Sequence, residues 1–325
     1  MRRRRKNDRG RYVGCACGIE CFGGEAMKRW GFFLALIGTM LVTLSLSEQA
    51  AEAARQGLAL CAHSVVPSLF PFFVLSSLFV ASGCSDVPSQ LLGGLMYRLF
   101  GCSGSGAGAF FLGILGGYPL GARTIGQLFT AGRLTQPEAE SLLCFCNNAG
   151  PAFILGLAGV GVFGDVRIGV WLYLVHVAAA TVVGLLCGRT NGCGADRHAP
   201  PSAPPPFFVA LVESIASAGA TMVQISAFVV FFYTALQLLT TLTGVSHPLA
   251  LGMVELTRGI TALDGGRSAF ILASALLGWG GISVHCQTAA VLSATPLRLR
   301  RYLCAKALHA LIATALAWAI SPLLF

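Results

Sequence analysis

Four short stretches of this chain join helix breakers to polar side chains inside apolar sequence. They are Gly116-Gly117-Tyr118-Pro119-Leu120-Gly121-Ala122-Arg123, Asn147-Asn148-Ala149-Gly150-Pro151, Glu255-Leu256-Thr257-Arg258-Gly259 and Gly280-Gly281-Ile282-Ser283-Val284-His285-Cys286-Gln287. Glycine and proline interrupt the hydrogen bonds that satisfy a helical backbone in lipid. Irregular backbone at that depth persists only where it is buried in protein or lines a wet cavity. Such breaks build the solute sites of secondary transporters, so the chemistry on offer is recognition of a solute.

The candidate substrate-binding residues are Gly116, Gly117, Tyr118, Pro119, Arg123, Asn147, Asn148, Glu255, Thr257, Arg258, Ser283, His285 and Gln287. Asn147 and Asn148 each offer a carbonyl acceptor and an amide donor pair. With Pro151 they suit the start of a helix whose free N–H groups favour an anion; their competing role is a polar contact between packed helices. Arg123 and Arg258 are costly in lipid unless they pair, snorkel or bind an anionic solute. Their competing role is positive-inside anchoring at helix ends. Glu255 is spaced to pair with Arg258 one helical turn on, a coupling-ion ligand being its other role. His285 is the residue type whose unperturbed charge change falls near neutrality, which makes it a candidate for a titrating group; its competing role is a plain hydrogen bond.

Other chemistries find no support. Gly159-Val160-Gly161-Val162-Phe163-Gly164 fits G-x-G-x-x-G, but it ends an apolar helix and lacks the strand that a dinucleotide fingerprint needs. There is no phosphate-cradling G-x-x-x-x-G-K-[ST] loop and no H-E-x-x-H, and Ser68, Ser103 and His63 show no triad spacing. The twelve cysteines include the C-x-C pairs Cys15/Cys17 and Cys144/Cys146 but no zinc-type double C-x-x-C. No enzyme, cofactor, metal or nucleic-acid role is expected. An intramembrane enzyme is the alternative class.

The elements that must position these residues are membrane helices. Hydrophobic residues make up 55% and charged residues 11%, with mean hydropathy +0.74, against roughly 25% charged in a soluble domain. Uncharged runs cover 30–47, 56–85, 99–122, 141–164, 168–188, 214–254, 268–297 and 307–325. A span needs about 20 apolar residues, which predicts seven to nine spanning or re-entrant segments. The expected fold is all-α and polytopic, transporter-like, with broken helices. Prolines Pro67 and Pro71 are expected to kink the second long segment. Residues 88–100 read as an interfacial helix with Arg98 at the surface, and 124–141 as a polar helical stretch with a helix start at Thr135-Gln136-Pro137-Glu138.

Most of the net charge of +9 sits in the first 29 residues. A basic amino terminus before an apolar helix is held in the cytoplasm. Met27-Lys28-Arg29 offers a second start, and the run 30–47 is long for a cleavable signal, so an uncleaved first helix is expected. The domain reading is a basic tail at 1–27, a first membrane half at 28–188, a Gly/Pro-rich linker at 189–206 and a second membrane half at 207–325. One constant offset aligns Ala62/Ala220, Val65/Val223, Ser68/Ser226, Phe70/Phe228, Phe73/Phe231 and Leu78/Leu236, which suggests duplication. Gly116-Gly117 is echoed by Gly280-Gly281, although the polar motifs fall in a different order around the two pairs.

The segment Pro67-Ser68-Leu69-Phe70-Pro71-Phe72-Phe73, taken in order with the four breaks, resembles the YlbJ-type sporulation integral membrane proteins of endospore formers. These carry the nucleoside-recognition Gate domain. The resemblance covers roughly residues 28–325; the basic first 26 residues and the Pro-rich stretch 200–206 depart from it. It implies a multi-pass protein of the mother-cell-derived outer forespore membrane, linked to movement of dipicolinic acid. The expected partners are the lipid bilayer, a small anionic or polar solute and a coupling ion, with oligomerisation left open. A nucleoside-type transporter and a non-transporting scaffold of spore-envelope assembly are the alternatives.

Overall fold

The computed structural model describes residues 18–84, 86–188 and 205–325. The basic residues 1–17, with Cys15 and Cys17, and linker residues 189–204 lie outside the described residues. The chain divides into two units, Met1–Glu48 and Gln49–Phe325. The first is built on α1 (Gly18–Ser45), whose part Met27–Ser45 is long and apolar enough to cross a membrane. Its hydroxyls are hidden on carbonyls four residues back: Thr39 on Ala35, Thr43 on Thr39 and Ser45 on Leu41.

The second unit opens within α2 (Ser47–Leu60), followed by a π-helical turn at Cys61–Val65 and α3 (Val66–Ala81). Pro67 lies in the first turn of α3 and Pro71 inside it, and the pair of helices is bent by 55°, as the two prolines imply. Then come α4 (Asp86–Phe100), α5 (Gly106–Gly116), α6 (Leu120–Thr130), α7 (Gln136–Cys146), a π-helical segment Ala152–Val162 and α8 (Val166–Cys187). The remainder is α9 (Phe207–Thr243), α10 (Pro248–Val254), α11 (Leu256–Thr261), α12 (Gly266–Trp279), α13 (Gly281–Val291) and α14 (Arg300–Ile320). The described residues contain no strand. Five helices or collinear pairs can each cross a membrane, and the bent α2–α3 makes six. This is an all-α, multi-pass integral membrane protein.

Two pairs of short helices fold back instead of crossing. α5 packs along α6, and α10 along α11, as re-entrant hairpins with turns at Gly117–Pro119 and at Glu255. Two other pairs continue in one direction across a break: α12 into α13, and α7 into 152–162, which meet α8 in reverse order at Ser141–Gly188, Ala149–His176 and Gly159–Gly169. Each half therefore has the same order: long helix, hairpin, broken span, span. Within the described residues of the second unit, α4 lacks a counterpart, because α9 leads straight into α10 through residues 244–247.

The halves run in opposite directions. α2–α3 and α9 are antiparallel, with Gln56 on Tyr233, Cys61 on Ser226, and Ser77 joined through Arg123 to Ser217. α8 and α14 are antiparallel too, from Cys187 beside Arg301 to His176 beside His309. This is the inverted-repeat build of many transporters. It also corrects the echo of the glycine pairs. Gly116-Gly117 belongs to a hairpin turn, whereas Gly280-Gly281 breaks a span, and the true counterpart of Gly280 is the break at Asn147.

The polar stretch 124–141 is likewise not one helix. It divides into α6 and α7 around a turn, and Gln136 begins α7 as expected. Thr135 holds the N-cap position without a side-chain bond, while Glu138 instead accepts the Ser103 N–H at 2.6 Å. Residues 86–100 form α4, with Arg98 exposed.

One end of the second unit gathers the starts of α7 and α14 and the end of α8. Ser141 donates to the Gly188 carbonyl at 3.1 Å, and the Arg298 N–H to Glu140 at 3.1 Å. The opposite end joins Arg267 to Ser321 at 3.0 Å. Lipid tails are as apolar as leucine, so close packing of small residues must hold helices together. Gly121 shows this: a Cβ there would collide with the Cys146 carbonyl.

Gly121→Ala is expected to lower stability by about 1–3 kcal/mol through overpacking, read as a lower apparent Tm of the detergent-solubilised protein. Single cysteines replacing Arg133 and Arg298 should label from one side of the membrane. Cysteines replacing Asp165 and Asp264 should label from the other, and labelling of all four from one side would contradict the inverted repeat.

Candidate functional site

A helix break leaves N–H groups without acceptors and carbonyls without donors, and in lipid water does not reach them. Here neighbouring side chains supply the partners. Asn148 donates to the Phe145 carbonyl at 2.7 Å, in the last turn of α7. The His176 Nε2 atom accepts the Ala149 N–H at 3.1 Å. Tyr118 donates to the Leu277 carbonyl at 3.2 Å, at the end of α12. Trp279 donates to Met253, at the end of α10, at 3.2 Å. Glu255 caps α11, accepting from Thr257 N–H at 3.2 Å and from Arg258 N–H at 2.8 Å.

The four breaks meet. Gly117, at φ 82°, lies against the backbone of Gly150 with no room for a Cβ, and the Tyr118 ring lies over Gly280. Gly281 faces the hairpin turn at Gly252 and Leu256. Asn147 ties three elements together. It donates to Thr288 Oγ1 at 2.9 Å and to Tyr302 Oη at 3.2 Å, and accepts the Ala122 N–H at 3.4 Å. Tyr302 also meets His285 Nδ1 at 3.1 Å.

Beside this junction lies a cavity of about 670 Å³, within the range of roughly 300–1,000 Å³ usual for small-molecule sites. Every break contributes to its wall: Gly116, Gly117 and Tyr118; Ala149 and Gly150; Glu255 and Thr257; Val284 and Gln287. Phe72 and Phe153 supply aromatic surface, and His63 and Ser64 add polar groups from the π-helical turn. The segment 152–162 starts in its wall, at Ala152 and Phe153, and helix starts carry partial positive charge. Among the described residues no group of His, Cys, Asp and Glu is arranged to hold a metal.

Six expected site residues thus line the cavity: Gly116, Gly117, Tyr118, Glu255, Thr257 and Gln287. Pro119, Arg123, Asn147, Asn148, Arg258, Ser283 and His285 stand behind or beside it. Arg123 is buried and bonded to the Phe73 carbonyl at 3.1 Å, Ser77 at 2.7 Å and Ser217 at 2.7 Å, clamping α3, α6 and α9. The expected Glu255–Arg258 side-chain pair is not formed. The carboxylate is turned onto its own helix start, and the guanidinium bonds Tyr233 at 3.1 Å and Gln237 at 2.8 Å, over the Tyr233 ring.

Sequence reasoning missed three buried residues that pack behind Tyr118: His176, Lys306 and His309. Reading the last apolar run as 307–325 makes Lys306 a flanking charge, whereas it lies well inside α14. The available signal was Lys306 and His309 one turn apart in apolar surroundings.

Inverted halves, re-entrant hairpins and a central cavity define a membrane protein of the transporter type. Residues 62–190 match the Gate family, described as nucleoside recognition. Over most of its length the chain is similar to the sporulation integral membrane protein YlbJ of Bacillus subtilis (strain 168). The identity is 27%, covering 87% of this chain and 79% of that protein. Both findings agree with the resemblance carried by the motifs. No solved structure matches the chain.

Tyr302→Phe removes the hydroxyl shared by Asn147 and His285, and is expected to cost about 1–3 kcal/mol by leaving buried polar groups unpaired. Thermal unfolding in detergent should show a Tm below that of the unmodified protein. An unchanged Tm would mean that this hydroxyl does not hold the junction.

Proposed function

We propose that this chain is a sporulation membrane transporter that moves a small planar solute through the cavity between its four helix breaks. The observation that carries this reading is the cavity itself. Residues of the two hairpin turns, of the break at Ala149–Gly150 and of the first turns of α13 line it, with Glu255, Thr257 and Gln287 as polar contacts and Phe72, Phe153 and Tyr118 as aromatic walls. The similarity to a sporulation integral membrane protein supports the setting.

Dipicolinate is the solute proposed first. A flat ring suits the aromatic walls, and a carboxylate suits the helix start at Ala152. The proposed location is the mother-cell-derived outer forespore membrane. The end bearing Arg133, Arg298, Arg300 and Arg301 is assigned to the cytoplasm on the positive-inside rule. An uncharged nucleoside is the second reading. Glu255, with Gln287 and Thr257, offers sugar and base hydroxyls and amides a set of hydrogen bonds, and a carboxylate repels a dianion.

Vesicles reconstituted with the protein are expected to take up labelled dipicolinate above protein-free vesicles. Gln287→Ala should lower the rate by roughly 10–100-fold, the loss of one or two hydrogen bonds. Glu255→Gln separates the readings, since it should raise dipicolinate uptake by removing a like charge and lower uridine uptake by removing an acceptor. Vesicles that take up neither solute would overturn transport.

A further inference from the structure

Lys306 and His309 lie one turn apart on α14, both fully buried. The Lys306 Nζ atom is 3.2 Å from His309 Nδ1 and 5.0 Å from the centre of the Tyr118 ring. His309 Nε2 meets the His176 carbonyl at 3.1 Å, and the two imidazole rings are 4.6 Å apart. These contacts set the protonation pattern. A carbonyl only accepts, so His309 carries its proton on Nε2 and offers the Nδ1 lone pair to Lys306. His176 uses Nε2 to accept from Ala149, which puts its proton on Nδ1, an atom without a partner.

No carboxylate compensates Lys306. The titratable groups facing it are Cys144 and Cys146 from α7, His176 from α8, His285 from α13, Tyr118 from the hairpin turn, and Tyr302 and His309 of its own helix. On α12 the titratable residue is Arg267, bonded to Ser321 at the far end. An ammonium with only neutral neighbours is held against a large desolvation cost, so its proton depends on whatever charge lies nearby. Tyr118 is the layer between Lys306 and the cavity: its ring carries the lysine contact, and the same residue lines the cavity wall.

We propose that Lys306, with His309 as its acceptor, is a proton site that couples solute movement to a proton gradient. The inference rests on the transport reading above. An anionic solute entering beside Tyr118 supplies the missing counter-charge. The Nζ lone pair then takes a proton from hydronium on that side, forming N–H and leaving water. When the solute leaves on the far side, the N–H bond breaks and the proton passes to water there. One proton crosses with each solute, and the amine is restored.

The test uses the full chain in vesicles with the membrane potential clamped at zero, an acid-outside gradient, labelled dipicolinate and, in parallel, labelled uridine. Coupling predicts roughly tenfold accumulation of dipicolinate for each pH unit of gradient, together with dipicolinate-dependent acidification of a dye trapped inside, and neither effect with uncharged uridine. Lys306→Met should lose the accumulation and the acidification and flatten the pH profile, while exchange of labelled for unlabelled solute continues at a reduced rate. That residual exchange shows the variant is folded. Should Lys306→Met prove inactive in exchange, His309→Gln is read instead, and it should lose more of the gradient response than of the exchange rate, both being reduced. Dipicolinate uptake by the unmodified protein without acidification would overturn the proton site and leave transport standing. A Lys306→Met protein that still follows the gradient would do the same. Vesicles that move neither solute would remove both.

Discussion

The architecture depends on satisfying backbone that has no water to fall back on. Four helix breaks sit where the surroundings are apolar, and each would leave several polar groups bare. The side chains that answer them come mostly from other segments. Tyr118 serves α12, Trp279 serves α10, and His176 serves the break at Ala149. Because each break is completed by another element, the breaks must assemble together. A cavity bordered by residues from all four stretches is the consequence of that mutual dependence.

The inverted repeat makes the convergence geometrically natural. A hairpin entering from one end and its counterpart from the other bring both turns against the breaks of the two spans. Packing then replaces hydrophobic driving force, which is absent between helices in lipid. Gly117 meets Gly150 backbone to backbone, and Gly121 meets the Cys146 carbonyl. Phe100, Phe110 and Phe145 fill the end of the unit where α4 is added, with Phe100 and Phe145 stacked at 4.7 Å.

Charge is distributed by the same economy. Arg123 and Arg258, both at mid-chain motifs, are bound to neutral oxygens and aromatic faces, and so act as clamps on α9. Glu255 is stabilised by two N–H groups of α11 and still borders the cavity. Lys306 is the exception, lodged between an imidazole and a phenol ring. In the proposed transport cycle these contrasts separate fixed structural charges from one that responds to an arriving solute.

Composition and local pattern alone determined that the chain is helical and crosses a membrane repeatedly, because hydropathy and run length act residue by residue. They also located the four breaks, since glycine and proline act on their own backbone. The kink at Pro67 and Pro71 was legible for the same reason. Which broken segments fold back and which cross was not, because α5–α6 and α7 with 152–162 look alike in length and composition. The roles of Asn147, Arg123 and Arg258, and the burial of Lys306 beside His309 and His176, were decided only by the tertiary structure. Those roles depend on partners far away in the chain, such as Thr288, Ser217 and Tyr118, and sequence spacing carries no record of such distances.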